Sequence, residues 1–318
     1  MVMESTGRFT SELRRLRRES YDECRSCGQR LTRDRPAYAG YAIDGSPLYV
    51  GDCCLEQLSE LASHIYWWWE VDRRVSPDEK LWRYMDLSKL IAMLEDQSLF
   101  FARADKLGDP FEGASGLADR EPEWDNFYLD YFREAIRTLP SELGSPDKAD
   151  VEAQAQRLLR EIKQGAEFDR RTTFVSCWHL NSGESEAFWR LYCPQGSAGV
   201  AIETTTRRLT ESLGTTDVDL GEVHYIDFKK SFAGIHDRIF WKRNSLKHEA
   251  EVRAVYRLRF DKPANGVNLT VDLSTLIGGV VVSPFGPPWL SELLPKILER
   301  YQLSIEVRRS ELLAQPFF

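Results

Sequence analysis

Apolar residues recur at helical spacing through Leu55, Leu58, Leu61, Ala62, Ile65 and Trp69, which predicts a helix over 55–69. Shorter apolar or alternating runs predict strands over 38–41 and 48–50, on either side of the turn Asp44-Gly45. Further runs predict strands over 81–84, 99–102, 173–178, 198–203, 222–225, 250–258, 279–283 and 304–307. Helices are predicted over 6–20, from a cap at Asp86 or Ser88 to about Asp96, over 184–191 and over 289–301. The charged stretch 121–170 is expected to be mostly helical, with a break across 140–146. Strands and helices do not alternate strictly, so the pattern points to an α+β fold with a mixed β-sheet. Val75-Ser76-Pro77-Asp78 reads as a linker and divides the chain into 1–75 and 76–318.

Charge narrows the function classes. The 318 residues carry 42 Lys and Arg against 50 Asp and Glu, a formal net charge of −8. That balance argues against a uniformly basic nucleic-acid binder. Arg14, Arg15, Arg17, Arg18, Arg25, Arg30, Arg33 and Arg35 crowd the N-terminal end. Glu12, Glu19, Asp22 and Glu23 interleave with them, so a solvated helix face is the default and a local phosphate-facing patch the alternative. No apolar run approaches the roughly 20 residues of a membrane span. The polar, Arg-rich start lacks the apolar stretch of a secretory signal. The expected location is the cytoplasm, with no membrane partner.

In a reducing compartment clustered cysteines read as metal ligands rather than disulfides. Cys24-Arg-Ser-Cys27 has the spacing that lets two thiolates grip one tetrahedral ion from a turn, and Gly28 permits that turn. Cys53 and Cys54 follow the expected hairpin, as in a zinc ribbon or treble clef. Adjacent cysteines reach one ion only with strain, so His64 or Asp52 is the alternative fourth ligand. The expected zinc is structural, because a closed four-ligand shell leaves no position for water. Cys177 and Cys193 stand in apolar surroundings and are expected in the core.

Four segments of the larger domain carry unusual chemistry. They are Leu81-Trp82-Arg83-Tyr84, the turn Gly108-Asp109-Pro110-Phe111-Glu112, Val175-Ser176-Cys177-Trp178-His179 with Glu184, Trp189 and Tyr192 beyond it, and Lys242-Arg243 followed by His248-Glu249-Ala250-Glu251-Val252-Arg253. If the last is a strand, Glu249, Glu251 and Arg253 share one face while Ala250, Val252 and Ala254 point to the core. Alternation makes that polar face solvent-facing by default, and a cleft lining the alternative. His179, His224 and His248 have no metal spacing, and Gly278-Gly279 precedes a strand, the wrong context for a dinucleotide loop. Trp189 and Tyr192, at i and i+3 on one helix face, are expected in the core, and the core is one alternative for Trp178.

In this order the segments resemble a bacterial domain-of-unknown-function family, number 2971, over about residues 81–290. The matching positions are Arg83-Tyr84, Asp109-Pro110-Phe111-Glu112, Ser176-Cys177-Trp178, Glu184-Ser185, Trp189, Tyr192 and Glu249-x-Glu251-x-Arg253. That family is distantly similar to ADP-ribosyltransferases, including toxins that modify nucleic acids. The resemblance implies an ADP-ribosyltransferase-like domain that consumes NAD. Glu251 would then stabilise the oxocarbenium-like centre, with Glu249 second or orienting the acceptor. Arg83 would hold a ribose hydroxyl or the pyrophosphate, Ser176 would fix the cofactor, Tyr84 or Trp178 would stack on nicotinamide, and Asp109 would orient Arg83 or the substrate. Phe111 and Arg253 complete the expected NAD-binding set. Against these roles, Arg83 would simply pair with Asp109 or Glu251.

The leading expectation is an NAD-dependent transferase that places ADP-ribose on a macromolecule, nucleic acid among the candidates, in a toxin or defence setting that calls for a neutralising partner protein. The alternatives are a non-enzymatic zinc-bearing interaction or regulatory module, and a metal-dependent hydrolase or nuclease using Asp109, Glu112, Glu249 and Glu251.

Overall fold

The computed structural model describes residues 73–137, 150–235, 237–260 and 264–318 in full, the backbone of 37–41, 47–51, 66–68 and 148–149, and the single residues Cys27 and Gln29. In chain order the strands are β1 (Ala37–Tyr41), β2 (Pro47–Gly51), β3 (Tyr66–Trp68), β4 (Lys80–Asp86), β5 (Ser98–Arg103), β6 (Thr173–Leu180), β7 (Gly199–Thr205), β8 (Val218–Glu222), β9 (His224–Ile226), β10 (Trp241–Arg243), β11 (Glu251–Arg257), β12 (Gly266–Thr270), β13 (Gly279–Val282) and β14 (Val307–Arg309). The helices are α1 (Leu87–Asp96), α2 (Glu121–Arg137), α3 (Lys148–Thr172), α4 (Glu186–Tyr192), α5 (Thr206–Ser212), α6 (Leu273–Leu276) and α7 (Leu290–Arg300).

Near the N-terminus β1 pairs antiparallel with β2, as the expected hairpin requires, and with β3 on its other side. Residues 66–68 were expected to end a helix; instead they are a strand, in keeping with the extended preference of a Tyr-Trp-Trp run. The rest of the helix expected over 55–69, the one over 6–20 and the break across 140–146 lie outside the described residues.

The chain divides into two compact units. One contains 1–72, 113–169 and 225–244; the other contains 73–112, 170–224 and 245–318. The boundary at 72–73 falls beside the expected linker, but 113–169 and 225–244 segregate from the rest of the expected second domain.

The second unit is built on a mixed sheet of nine strands among the described residues, in the order β12-β5-β6-β4-β7-β13-β14, with β11 on β6 and β8 on β11. The β13–β14 pair is parallel and the other pairs are antiparallel. Strand β6 forks the sheet. It pairs with β11 along its whole length, and on its other edge with β5 at Phe174 and Val175 and with β4 at His179 and Leu180.

Alternation sorts side chains onto two faces. Leu81, Met85, Phe174, Trp178, Ile202, Val252, Ala254 and Val280 face the main core, which α1 and α7 close with Leu90, Leu94, Leu290, Leu294 and Leu298. Trp82, Tyr84, Ala201 and Val281 face a second, aromatic core completed by Phe188, Trp189 and Cys193. Helix α1 starts where Asp86 Oδ1 accepts the Lys89 amide at 2.9 Å, the cap expected from sequence, and stops at Gln97 in the left-handed region.

In the first unit, Trp124, Leu129 and Ile136 of α2 pack with Val151, Ala155 and Leu159 of α3 and with Phe232. β9 and β10 form a two-stranded ribbon. Among the described residues no helix is long and apolar enough to cross a membrane.

Candidate functional site

The chemistry of the second unit gathers on Arg253, which is 0% exposed in mid-β11. The turn before it in space comes from Asp109-Pro110-Phe111-Glu112. Asp109 Oδ1 accepts the Phe111 amide at 3.1 Å and its carbonyl accepts the Glu112 amide at 3.1 Å. That turn delivers the Glu112 carboxylate to Arg253 in a two-bond fork, Nη1 to Oε2 at 2.6 Å and Nη2 to Oε1 at 2.8 Å. Glu251, two residues away on the same face, takes Nε at 2.7 Å and Nη2 at 3.1 Å. Glu112 and Glu251 are 2% and 4% exposed. Burial opposes the charge on Arg253, but the two carboxylates outweigh it and push its pKa well above the ordinary value. By formal charge, one cation stands against two carboxylates in the buried cluster.

The sequence expectation that this face is solvated is therefore corrected. Both faces of β11 are buried from Glu251 to Val255: Val252 and Ala254 join the main core on one, and on the other Glu251 and Arg253 pair with each other and with Glu112. Glu249 lies before the strand. It ends the 3₁₀ turn Asn244–Glu249, and Ala250 at φ 38° breaks the alternation that would have aligned it with Glu251. Glu249 contributes its carbonyl oxygen, which lies 2.7 Å from His179 Nδ1.

His179 stands opposite Glu251 in the β6–β11 register. A carbonyl only accepts, so the hydrogen-bond network assigns the ring proton to Nδ1. Nε2 is then a buried lone pair with no partner. Burial lowers the His179 pKa and keeps the ring neutral, the Glu249 bond opposing and His248 adding to it. The ring stacks on Phe188 at 4.0 Å. Cys177, opposite Arg253, is held as a thiol: burial pushes its pKa well up and the Glu251 charge adds to that.

The remaining expected NAD contacts separate across the sheet. Arg83 donates from Nη1 to Ser176 Oγ and from Nη2 to the Phe100 carbonyl at 3.3 Å, and sits over the Trp178 ring at 5.6 Å. Trp178 Nε1 donates to the same Ser176 oxygen at 3.2 Å. Burial pushes the Arg83 pKa down. Arg83, Ser176 and Trp178 therefore form a cluster on the main-core face, and Arg83 pairs with neither Asp109 nor Glu251. Tyr84 points the other way, as the neighbour of Arg83 on a strand must. Its hydroxyl accepts the Ser185 amide at 2.7 Å, and its ring meets Trp189 edge-on at 4.8 Å. Asp109 and Phe111 shape the Glu112 turn.

Glu184 proves to be a clasp. Its Oε2 accepts from Trp189 Nε1 at 2.6 Å and from Ser310 Oγ at 2.6 Å, tying α4 to the C-terminal segment. Trp189 and Cys193 are core as expected and Trp178 is buried too, whereas Cys177, expected in the core, is half-buried and Tyr192 is 47% exposed because the one-sided helix α4 turns it outward. The metal-hydrolase set does not assemble: only Glu112 and Glu251 converge, and the Arg253 guanidinium occupies the place a cation would take. Among the described residues no three His, Cys, Asp or Glu side chains are placed to hold a metal ion. Cys27 is exposed; Cys24, Cys53, Cys54, Asp52 and His64 lie outside the described residues.

Sequence reasoning passed over His179 as a chemical group and used Glu112 only as a metal ligand. His179 meets Glu251 through the pairing of β6 with β11, and Glu112 meets Arg253 through the placement of its turn; no local pattern encodes either. Comparison of the chain with protein-family models, with curated proteins and with solved structures found no match.

Proposed function

We propose that the chain is an NAD-consuming transferase, ADP-ribosyltransferase-like in fold, that places ADP-ribose on a macromolecular acceptor. The observation that carries this reading is the carboxylate-rich Glu112–Arg253–Glu251 cluster beside the unpartnered His179 Nε2, on a face lined by Trp82, Tyr84 and Phe188. The nicotinamide of NAD is a flat cation, suited to aromatic rings and a fixed anion. When the bond from ribose C1′ to nicotinamide breaks, the bonding pair leaves with nicotinamide and positive charge develops on the ribose. Glu251, oriented by Arg253, stabilises that charge. The acceptor's O–H or N–H attacks C1′, and His179 Nε2 takes its proton. Arg83, Ser176 and Trp178 have no part in this version, since they face the main core. Glu251 is 4% exposed, so the reading requires its cover to move when NAD binds.

Incubation of the purified protein with NAD, with and without nucleic acid or cell extract, tests the reading by free nicotinamide. Release by the wild type, lost in Glu251→Gln and reduced in His179→Gln, supports it. No release, together with no NAD binding by calorimetry, refutes it.

A second reading, a non-enzymatic interaction module, is favoured by one specific observation: Arg253 engages both oxygens of each carboxylate. On that reading the cluster is a fastening, and Glu251→Gln leaves the biological phenotype intact. The cysteine module as a structural zinc site rests on spacing alone. Zinc content of wild type against Cys24→Ser tests it, and its loss should leave the Glu251 cluster untouched.

A further inference from the structure

In the first unit, Arg238 opens a 3₁₀ turn, Arg238–Phe240, and is 7% exposed. A guanidinium carries five N–H donors in a planar fork. The side chain of Arg238 makes no hydrogen bond among the described residues, and its Nε is buried without a partner. Its one ion pair places Nη1 3.7 Å from Asp169 Oδ2, beyond hydrogen-bond reach, and Asp169 is 66% exposed. A cation this enclosed normally has close partners, because burial without them is costly. By contrast Arg253 forms four short bonds with its carboxylates.

Tyr128 of α2 lies close enough to Arg238 to interact with its charge. One turn back on α2, Trp124 packs on Tyr128 with ring centres 4.4 Å apart, and Trp124 Nε1 is a buried donor with no partner. Asp169 is the acid paired with the guanidinium, and it is 66% exposed. What is missing here is an acceptor with several oxygens. A phosphate group supplies them, and its geometry matches the guanidinium fork.

We propose that Arg238 anchors an oxyanion site in the first unit, taking a phosphate group on its unbonded guanidinium with Tyr128 and Trp124 alongside. The site lies on a different unit from Glu251 and does not depend on the NAD reading. Free phosphate and the phosphate of a nucleotide share this chemistry, so both serve as probes.

The test uses the full chain in phosphate-free buffer. Thermal melting and calorimetry are run with inorganic phosphate and with adenosine monophosphate, on wild type, Arg238→Met and Arg238→Lys. Either probe should raise the melting temperature of the wild type with concentration, as expected for a ligand that binds only the folded state. Arg238→Met should lose that shift and, without ligand, melt at or above the wild type, because a buried charge whose ion-pair partner is distant and exposed has gone. Arg238→Lys keeps the charge without the fork and should bind at least tenfold more weakly. Tighter binding of adenosine monophosphate identifies a nucleotide phosphate as the natural occupant; equal binding identifies free phosphate. If wild type binds neither probe, or if Arg238→Met responds to phosphate as wild type does, the proposal is overturned. If Arg238→Met fails to fold, the titration of Arg238→Lys decides: affinity equal to wild type overturns the site.

Discussion

Replacing Arg253 by methionine probes the buried cluster most directly. The change keeps an unbranched apolar stem and removes the guanidinium that shares four bonds of 2.6 to 3.1 Å between Glu112 and Glu251. Two carboxylates 2% and 4% exposed are then left facing each other without a counter-charge. Breaking a buried pair by deleting one partner costs about 3–5 kcal/mol, a large part of the ~5–15 kcal/mol that holds a domain folded. With a urea slope of about 2 kcal/mol per molar, the unfolding midpoint should fall by about 2 M. Urea titration followed by tryptophan fluorescence reads this, since Trp82, Trp178 and Trp189 lie in the same unit. Acidification should partly rescue the variant, because protonating one carboxylate relieves the repulsion. Replacing all three residues by apolar ones should cost far less than the single change. A loss below about 1 kcal/mol in Arg253→Met would show that the cluster is open to water, and the reasoning would fail.

Other outcomes follow from single positions. Asp86 caps α1 and its pKa is lowered to about 2, burial opposing while Ser88 and the Lys89 amide outweigh it. Its contribution is present above the unfolded carboxylate pKa and is lost as pH falls towards 2; Asp86→Asn should flatten that acid limb in melting scans, while Asp86→Ala should cost about 1 kcal/mol. His179 has a lowered pKa, so its contribution is complete above the unfolded value of about 6.5 and is lost as pH falls below it. The stability gap between wild type and His179→Gln should therefore shrink on acidification, and a pH-independent gap would contradict the buried neutral ring. At Gly266 a Cβ would lie 2.5 Å from the Phe101 carbonyl oxygen, a backbone atom that cannot step aside; Gly266→Ala should cost about 1–3 kcal/mol by urea titration.

Much of the fold was legible because several of its strands are compact runs dominated by apolar and β-prone residues. Continuous runs such as Thr173–Leu180 and Gly279–Val282 announce buried strands, and Asp86 announces a cap. What local pattern could not carry was pairing. Strand β12 and strand β10 mix polar and apolar residues and were missed, and the last strand lies at Val307–Arg309 rather than 304–307. The candidate site suffered more. Arg83 and Tyr84 are adjacent on a strand, so they were bound to face opposite ways, a point the sequence already contained. That Glu251 shares the face of Tyr84 and His179 rather than that of Arg83 depends on the β4–β6–β11 register, which joins segments far apart in the chain. Glu249 left the expected face because one residue, Ala250, takes a positive φ that no composition rule foretells.

The fork at β6 bears on how the chain is made. As synthesis proceeds from the N-terminus, β4 and β5 emerge before β6 and can take up one of its edges at once. The other edge waits for β11, which cannot form until residue 257 has left the ribosome. In the interval Thr-Phe-Val-Ser-Cys-Trp-His-Leu presents an uncharged, β-prone strand with an unpaired side. Nascent chains stalled in that interval should be the ones chaperones bind and proteases clear. Fragments ending before Glu251 should collect in the insoluble fraction, while the full chain, whose β11 covers that edge with β8 beyond it, should not.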